Sequence, residues 1–188
     1  AQNEWRARWD LPPLDPAILD ISLFCYPAAP VPALLQALAG KPVRLFVPAG
    51  AAPLPDVRPG FVHETPFLPQ PGYDRLLWTC GLNFVRGEDS LVRALWAGRP
   101  LVWDIYKQEK AAHIPKLAAF LACYKAGMAA QDAESLAQFT LMWNQSPRCG
   151  EAFTAFYESL PALSVHARDW AARQEKTSDL ATRLLRFI

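Results

Sequence analysis

The fold of this chain is decided by the stretch Leu82-Asn83-Phe84-Val85-Arg86-Gly87-Glu88-Asp89-Ser90-Leu91-Val92-Arg93-Ala94-Leu95-Trp96-Ala97-Gly98-Arg99-Pro100-Leu101-Val102-Trp103. Its apolar beginning, residues 82–85, is short enough for a buried strand, and Gly87 interrupts it. Gly98 suits the left-handed position that ends a helix, before a second apolar run. The intervening helical pattern places four apolar side chains on one face, namely Leu91, Val92, Leu95 and Trp96. The stretch therefore predicts a β-α-β unit.

The turn between the first strand and the helix carries charged and polar side chains. Such a unit directs the helix N-terminus at the carboxyl edge of a parallel sheet, where free N–H groups and the helix dipole favour an anion. Arg86 adds a positive charge, so a phosphate or diphosphate is the natural ligand. Glu88 and Asp89 would repel it, and toward a ligand they would accept hydrogen bonds from sugar hydroxyls. A structural alternative stays open, in which Asp89 or Ser90 only caps the helix and the acids complement its dipole.

The same string carries a family resemblance. Arg86-Gly87-Glu88-Asp89-Ser90 and the segments that follow it, residues 92–94, 96–100 and 103–108, resemble the EarP family of arginine rhamnosyltransferases, which modify bacterial translation elongation factor P. Further segments of the chain resemble the same family: residues 22–26, 66–70, 73–78, 112–113 and 116–117. Their spacing, between about residues 20 and 120, indicates one continuous domain.

The resemblance implies a function and an incomplete enzyme. It implies the carboxyl-terminal, donor-binding half of a GT-B glycosyltransferase, which transfers rhamnose from dTDP-β-L-rhamnose to one arginine of elongation factor P and inverts the anomeric carbon. The expected partners are elongation factor P, this donor and the enzyme's own amino-terminal domain. In the family the catalytic base is an Asp of that amino-terminal domain, and this chain has no segment resembling its motif. We therefore expect this chain to bind donor without turning over.

The donor-site residues follow from the resemblance together with local chemistry. The loop at residues 66–72 is stiffened by three prolines and presents an aromatic ring and an amide, which suit a pyrimidine. Phe24 and Tyr26 are two apart on a predicted strand and so share a face. The turn is assigned to the diphosphate and sugar, with Glu88 supporting catalysis without being the base. The expected donor-binding residues are Phe24, Tyr26, Phe67, Gln70, Arg86, Gly87, Glu88, Asp89, Ser90 and Tyr106.

Composition narrows the class of protein. The 188 residues are 52% apolar, which is enough for one well-filled core. A net charge of +1 from interspersed residues argues against a nucleic-acid partner, and no apolar run approaches the roughly 18 residues that span a bilayer. The chain begins with Ala and shows no signal peptide, so we expect a processed protein or part of a longer one. Four widely separated cysteines without a Cys-x-x-Cys pair favour the reducing cytoplasm.

Several motifs are missing from the sequence. It contains no Gly-x-Gly-x-x-Gly, no Gly-Lys-Ser/Thr phosphate loop and no Gly-x-Ser-x-Gly elbow, which argues against three enzyme classes. The three histidines have no ligand spacing, so we expect no metal site and no cofactor. Because there is also no Asp-x-Asp, the transferase is expected to be metal-independent, with Arg86 and helix N–H groups neutralising the leaving group.

Periodicity extends the prediction to the whole chain. It predicts a Rossmann-like α/β domain: a parallel sheet with flanking helices and a helical carboxyl-terminal tail. Residues 1–19 are expected to be an entry segment or inter-domain linker in which Trp5 and Trp9 cover the domain edge. Residues 20–163 are expected to form the donor-binding domain. Residues 164–188 are expected to form a helix that packs toward the amino-terminal domain. The strands are predicted at residues 18–26, 43–47, 61–64, 82–85 and 101–106, and the later helices at residues 114–125, 132–144, 150–160 and 164–187.

Two other classes of protein stay open at this point. The same fold could serve as a non-catalytic sensor of nucleotide sugars, because fold does not determine function. It could also be a protein-interaction domain in which the pocket residues are merely structural. A sensor would bind donor tightly without a partner domain, whereas an interaction domain would show no nucleotide binding and would expose a large apolar patch.

Overall fold

A computed structural model of the chain describes residues 2–56, 59–177 and 182. Within them one sheet is formed by β1 (Leu19–Leu23), β2 (Val43–Pro48), β3 (Val62–Thr65), β4 (Leu82–Arg86) and β5 (Leu101–Asp104). The helices are α1 (Gln2–Arg8), α2 (Val31–Leu38), α3 (Gln70–Thr79), α4 (Gly87–Ala97), α5 (His113–Tyr124), α6 (Ala130–Gln145), α7 (Gly150–Glu158) and α8 (Leu160–Glu175). A short 3-10 helix, Glu109–Ala111, precedes α5.

All the strand pairs of the sheet are parallel, in the order β3-β2-β1-β4-β5. The register of the central pair places Ile21 opposite Leu82 and Leu23 opposite Phe84. The strand order reverses between β1 and β4, and in open α/β sheets ligands bind beyond the carboxyl ends of the strands at this switch point. The predicted Rossmann-like α/β fold is confirmed, and its topology directs attention to the ends of β1 and β4.

The sheet is covered by helices on both faces, as parallel sheets require. Phe84 points to the face covered by α2, α6 and α7, where its ring centroid lies 4.6 Å from that of Trp143. Its neighbour Val85 points to the opposite face, in a cluster with side chains of α3, α4 and α5. Because successive side chains of a strand alternate between faces, the apolar run at β4 supplies both halves of the core.

Helix α4 follows β4 without a loop. Gly87, with a φ of 64°, turns the chain from strand to helix in one residue, and Gly98, with a φ of 61°, ends the helix as predicted. The predicted apolar face is partly wrong, because Val92 and Trp96 are about half exposed whereas Leu91 and Ala94 are buried. Leu91, Ala94 and Leu95 follow the three- and four-residue spacing of one helix face, and Val92 and Trp96 each lie one position beyond it.

The amino-terminal segment packs onto the domain, with Trp5 and Trp9 against its edge. Trp5 is buried in a cluster with Phe46 and Leu76, and Trp9 packs against that cluster. Arg6 is fully buried, and its guanidinium lies 2.8 Å from a carboxylate oxygen of Asp20 at the start of the sheet. Helix α1 is thereby attached to β1 at the edge opposite the carboxyl ends of the strands.

The last helix starts earlier than predicted. Helix α8 begins at Leu160 instead of at residue 164, because Pro161 lies in its first turn, where proline is compatible with a helix. Its residues Leu163 and Ala167 are buried against this domain, and α8 contacts α4 and α7. These turns therefore pack on this domain through one face, and residues 178–181 and 183–188 lie outside the described part of the chain.

Candidate functional site

The switch point of the sheet brings together three of the predicted site residues. Arg86, at the end of β4, lies with its Cζ atom 4.2 Å from the ring centroid of Phe24 and 5.3 Å from that of Tyr26. Its guanidinium also donates a hydrogen bond of 3.3 Å to the backbone carbonyl of Cys25. The predicted strand 18–26 ends at Leu23 instead, so the two rings reach Arg86 from the loop after β1 and not from one strand face. A fixed cation between two aromatic rings is the result.

The start of α4 is open beside this arginine. Arg86 occupies the N-cap position and no side-chain capping hydrogen bond is made there, so the structure does not show the alternative of a cap by Asp89 or Ser90. The first backbone N–H groups of a helix have no partner within the helix, and they attract an anion. The Gly87 carbonyl accepts a hydrogen bond of 3.0 Å from the indole N–H of Trp103, which lies beneath the turn. The turn is thus held by the hydrogen bond from Trp103, and its helix N-terminus has no side-chain cap.

The two acids of the turn are each paired with a cation. Glu88 pairs with Lys116 of α5, and the hydrogen bond from Lys116 lowers the pKa of that carboxyl below its ordinary value. Asp89 accepts a hydrogen bond of 2.8 Å from Arg93, one turn along α4, and Arg93 also donates to Asp74 of α3 at 2.9 Å. Sequence reasoning assigned no role to Lys116, although residues 116–117 were part of the family resemblance.

The residues expected at a pyrimidine lie farther along the same edge. Phe67 is 79% exposed in the loop after β3, and Gln70, also exposed, is the first residue of α3. We call Phe24, Tyr26 and Arg86 the Arg86 cluster. Phe67 and Gln70 are connected to it through Tyr73, one turn into α3, whose ring centroid is 5.5 Å from that of Phe24. Burial raises the pKa of Tyr73, and its hydroxyl faces Ser90. Sequence reasoning did not include Tyr73 in the site, although residues 73–78 were part of the family resemblance.

The remaining predicted residue, Tyr106, lies on the other side of Tyr26. The two rings meet edge to face with centroids 5.6 Å apart, and Tyr106 is 60% exposed. Burial raises the pKa of Tyr26, partly offset by the charge of Arg86. A cavity of about 230 Å³ opens between the loops after β1 and β5, lined among others by Tyr26, Asp104, Tyr106 and Lys107. Tyr26 therefore separates the Arg86 cluster from a second concave surface.

Asp104 is a buried acid that sequence reasoning missed. It is the last residue of β5, and its carboxylate accepts a hydrogen bond of 2.6 Å from the backbone N–H of Tyr26. This bond closes the loop after β1 over the end of β5. Burial raises the pKa of Asp104 to about 6, although the Tyr26 N–H and the charge of Lys107 oppose that increase. Only its place at the end of a strand could have signalled it.

Asp104 should make the stability of the chain depend on pH. Its pKa is about 6 in the folded protein against an ordinary 3.8, so between pH 4 and 6 the folded state binds more protons than the unfolded state. The free energy of unfolding should therefore fall as pH rises through this interval, by about 2 to 3 kcal/mol. Asp104→Asn should flatten this part of the curve, which urea unfolding at a series of pH values would measure.

The matched control for this prediction is Asp169→Asn, which changes an exposed acid of α8. It should leave the slope between pH 4 and 6 as in the unchanged chain. A slope that persists in Asp104→Asn would show that another group carries the pH dependence.

The other cysteines and histidines of the described residues do not form a cluster, and Cys123 is the exposed cysteine among those residues. Cys25, beside the site, is fully buried, and burial raises the pKa of its thiol to about 12. His113 and His166 are held by backbone groups, and His63 stacks on Phe46. Residues 2–56, 59–177 and 182 include no group of three or more His, Cys, Asp or Glu side chains that could hold a metal ion. In the same residues no helix is both long and apolar enough to cross a membrane.

Fold and site together define a Rossmann-like α/β domain with an arginine and an uncapped helix N-terminus at its switch point, the kind of edge at which such domains bind phosphate-bearing ligands. Comparison with known proteins makes the assignment more specific. The family model described as "Elongation-Factor P (EF-P) rhamnosyltransferase EarP" matches residues 1–188, and the chain belongs to this family.

Individual relatives agree with the family assignment. A protein-arginine rhamnosyltransferase of Pseudomonas aeruginosa is 44% identical over 186 residues, which cover 89% of this chain and 49% of the relative. A protein-arginine rhamnosyltransferase of Pseudomonas putida is 42% identical over 192 residues, which cover 93% of this chain and 51% of the relative. A solved structure that concerns EarP-mediated arginine glycosylation of translation elongation factor EF-P has a TM-score of 0.83 at 36% identity, covering 99% of this chain and 65% of that one. The chain spans about half the length of the curated relatives.

Proposed function

We propose that this chain is the donor-binding half of a GT-B glycosyltransferase that transfers rhamnose from dTDP-β-L-rhamnose to an arginine of translation elongation factor P. The support from comparison is the family match and the relatives named protein-arginine rhamnosyltransferase. The observation that carries the proposal is Arg86, placed between Phe24 and Tyr26 beside the uncapped start of α4. That arrangement offers a diphosphate both a cation and free N–H groups at the switch point of the sheet.

The proposed roles follow the order of groups along the edge. Arg86 and the turn at residues 87–90 hold the diphosphate, and Glu88 or Asp89 accepts hydrogen bonds from rhamnose hydroxyls. At the start of α3, Phe67 stacks on thymine and Gln70 bonds to its edge, because an amide can both donate and accept. Phe24, Tyr26 and Tyr106 form the walls between these two regions. Tyr73 joins them, since it contacts Phe24 one helical turn from Gln70.

The reaction breaks the bond between the anomeric carbon and the diphosphate oxygen and forms a bond from that carbon to a guanidinium nitrogen, with inversion. The leaving group is the dTDP anion, and Arg86 and the N–H groups of α4 stabilise the charge that develops on it without a metal ion. A guanidinium is a poor nucleophile, because its lone pairs are delocalised and it is protonated at pH 7. A carboxylate must take the proton. We assign that base to an Asp of the amino-terminal domain, with Glu88 supporting, so this chain alone binds donor without catalysis.

The proposal also covers domain organisation and location. Residues 20–163 form the donor-binding domain, preceded by residues 1–19, and residues 164–188 include the segment that reaches toward an amino-terminal domain. The expected partners are that domain, the donor and elongation factor P, with neither nucleic acid nor membrane. Because elongation factor P acts in translation, the enzyme works in the cytoplasm.

Donor specificity provides the test. We expect calorimetric titration of this chain to show binding of dTDP-β-L-rhamnose and dTDP, about fourfold tighter than that of UDP, because thymine places a methyl group against the apolar ring of Phe67. Addition of EDTA should change none of these affinities. Equal affinity for UDP would contradict the assignment of Phe67 and Gln70. No binding at all would contradict a donor site complete within this chain, and the same titration of the full-length enzyme would then show whether the amino-terminal half completes it.

A further inference from the structure

The turn that is proposed to hold a diphosphate is itself acidic. Glu88 and Asp89 directly follow Gly87. Two carboxylates in the same turn as a bound diphosphate would repel it. The free N–H groups of α4 and the charge of Arg86 would have to overcome that repulsion. The structure offers a different solution, since each carboxylate is paired with a cation from another position in the chain.

The two cations are not equivalent. Arg93 donates to Asp89 but also to Asp74, so one positive charge is divided between two carboxylates. The ion pair of Lys116 is with Glu88, 28 residues away in sequence. This second pair connects α5 to the first turn of α4, and it lies at the turn where the diphosphate is proposed to bind.

Lys116 is placed over the turn by a second contact. Its ammonium group lies 5.7 Å from the ring centroid of Trp103, a favourable distance for a cation above an aromatic face. The indole N–H of the same Trp103 donates to the Gly87 carbonyl. One buried tryptophan thus supports both the backbone of the turn and the cation that neutralises its first acid.

Stability does not account for this pair. Lys116 is 50% exposed and Glu88 63% exposed, and ion pairs with such exposure contribute little to folding. The groups that face Glu88 are Lys116 from α5 and Tyr26 after β1. Among them Lys116 supplies the positive charge, and its hydrogen bond lowers the pKa of Glu88.

We propose that Lys116 is a positioning residue of the donor site, whose ammonium group neutralises Glu88, holds that carboxylate toward α5 and so lets the turn accept a diphosphate. The inference rests on the proposed function. It specifies why an acidic helix start binds an anionic donor, and it assigns the cause to a helix outside the β-α-β unit. Lys116 acts through Glu88 and does not itself contact the phosphates.

The test is a double-mutant cycle in which the affinities for three ligands of increasing negative charge are compared. Thymidine, dTMP and dTDP are titrated into the chain and into Lys116→Met, Glu88→Gln, the double variant and Lys116→Arg. We expect Lys116→Met to weaken dTDP binding about fivefold, dTMP binding less, and thymidine binding not at all. In the Glu88→Gln background the same change should have no effect, because there is then no charge to neutralise. Lys116→Arg should keep most of the affinity.

The control is Lys125→Met at the other end of α5, about 14 Å along the helix axis. It should leave dTDP binding and the thermal unfolding midpoint as in the unchanged chain. An independent readout is the pKa of the Glu88 carboxyl by NMR, which should rise in Lys116→Met and stay low in Lys116→Arg.

The outcomes separate the possible explanations. A loss that persists in the Glu88→Gln background would show that Lys116 contacts phosphate directly, and a loss equal for thymidine would show a structural effect; either overturns the inference. Unchanged dTDP affinity or an unchanged Glu88 pKa in Lys116→Met would overturn the inference about Lys116 and leave the proposed function standing. Absence of dTDP binding both in the unchanged chain and in the full-length enzyme would overturn the proposed function and this inference together.

Discussion

Replacement of Arg86 by Ala is expected to weaken dTDP binding to this chain by about 30-fold, which corresponds to the loss of about 2 kcal/mol from charge-assisted hydrogen bonds to phosphate. Arg86 is the fixed cation beside the uncapped N-terminus of α4, and Phe24 and the Cys25 carbonyl hold its guanidinium in place. The measurement is calorimetric titration with dTDP. In the full-length enzyme the same change should lower kcat, because Arg86 stabilises the charge of the leaving dTDP.

Two companion variants make this prediction specific. Arg86→Lys should recover only part of the affinity, because an ammonium group does not bind phosphate in a bidentate way and stacks less well on the Phe24 ring. Arg148→Ala removes an arginine whose side chain is 80% exposed and pairs with Glu151, outside the Arg86 cluster. It should leave dTDP binding unchanged. Affinity within twofold of the unchanged chain in Arg86→Ala would contradict the assignment of the diphosphate to this turn.

Replacement of Asp20 by Ala is expected to lower the free energy of unfolding by about 3 to 5 kcal/mol, the cost of leaving buried charge uncompensated. Asp20 is 4% exposed and lies 2.8 Å from the guanidinium of Arg6 and 2.7 Å from that of Arg44, which are 0% and 11% exposed. Without the carboxylate the two guanidinium groups lose their common partner. Urea unfolding followed by tryptophan fluorescence would measure the change, and α1 should detach first because Arg6 connects it to β1.

The exposed pair of Glu151 and Arg148 provides the control for this effect. Their atoms are 3.9 Å apart and both side chains are largely exposed, so Glu151→Ala should change the free energy of unfolding by less than about 0.5 kcal/mol. If Asp20→Ala cost no more than Glu151→Ala, the buried cluster would contribute nothing to the attachment of α1. Because Asp20 is at the amino end of β1, dTDP affinity of the folded Asp20→Ala chain should change little.

The prediction of the β-α-β unit at residues 82–103 depended on the spacing of apolar residues and on the positions of Gly, and these were sufficient for much of the unit. Gly87 separates β4 from α4, and Gly98 has the left-handed backbone that its position after α4 indicated. The strands β4 and β5 begin where the apolar runs begin. The helix face was predicted less well. The sequence presents Leu91, Val92, Leu95 and Trp96 as equivalent, whereas only the contacts of α4 with the sheet, α3 and α8 determine which of them is buried.

Errors at the ends of strands had a common cause. The runs predicted to continue to residues 26 and 106 end as β1 and β5 at Leu23 and Asp104. Tyr26 donates its N–H to the Asp104 side chain instead of to a neighbouring strand. A hydrogen bond between residues 78 positions apart cannot be read from the hydrophobic pattern of either segment, and so both the strand ends and the buried acid were missed.

The sequence by itself determined the alternation of strands and helices, the parallel α/β class, the position of the arginine-bearing turn and, through its resemblance, the family. These depend on residue spacing and on Gly and Pro, which act within a few positions of the chain. Only the tertiary structure decided the strand order that places β1 beside β4, and with it the meeting of Phe24, Tyr26 and Arg86. It also decided the pairing of Glu88 with Lys116 and of Tyr26 with Asp104. Those contacts join distant segments, and only the packing of helices on the sheet brings their charges together.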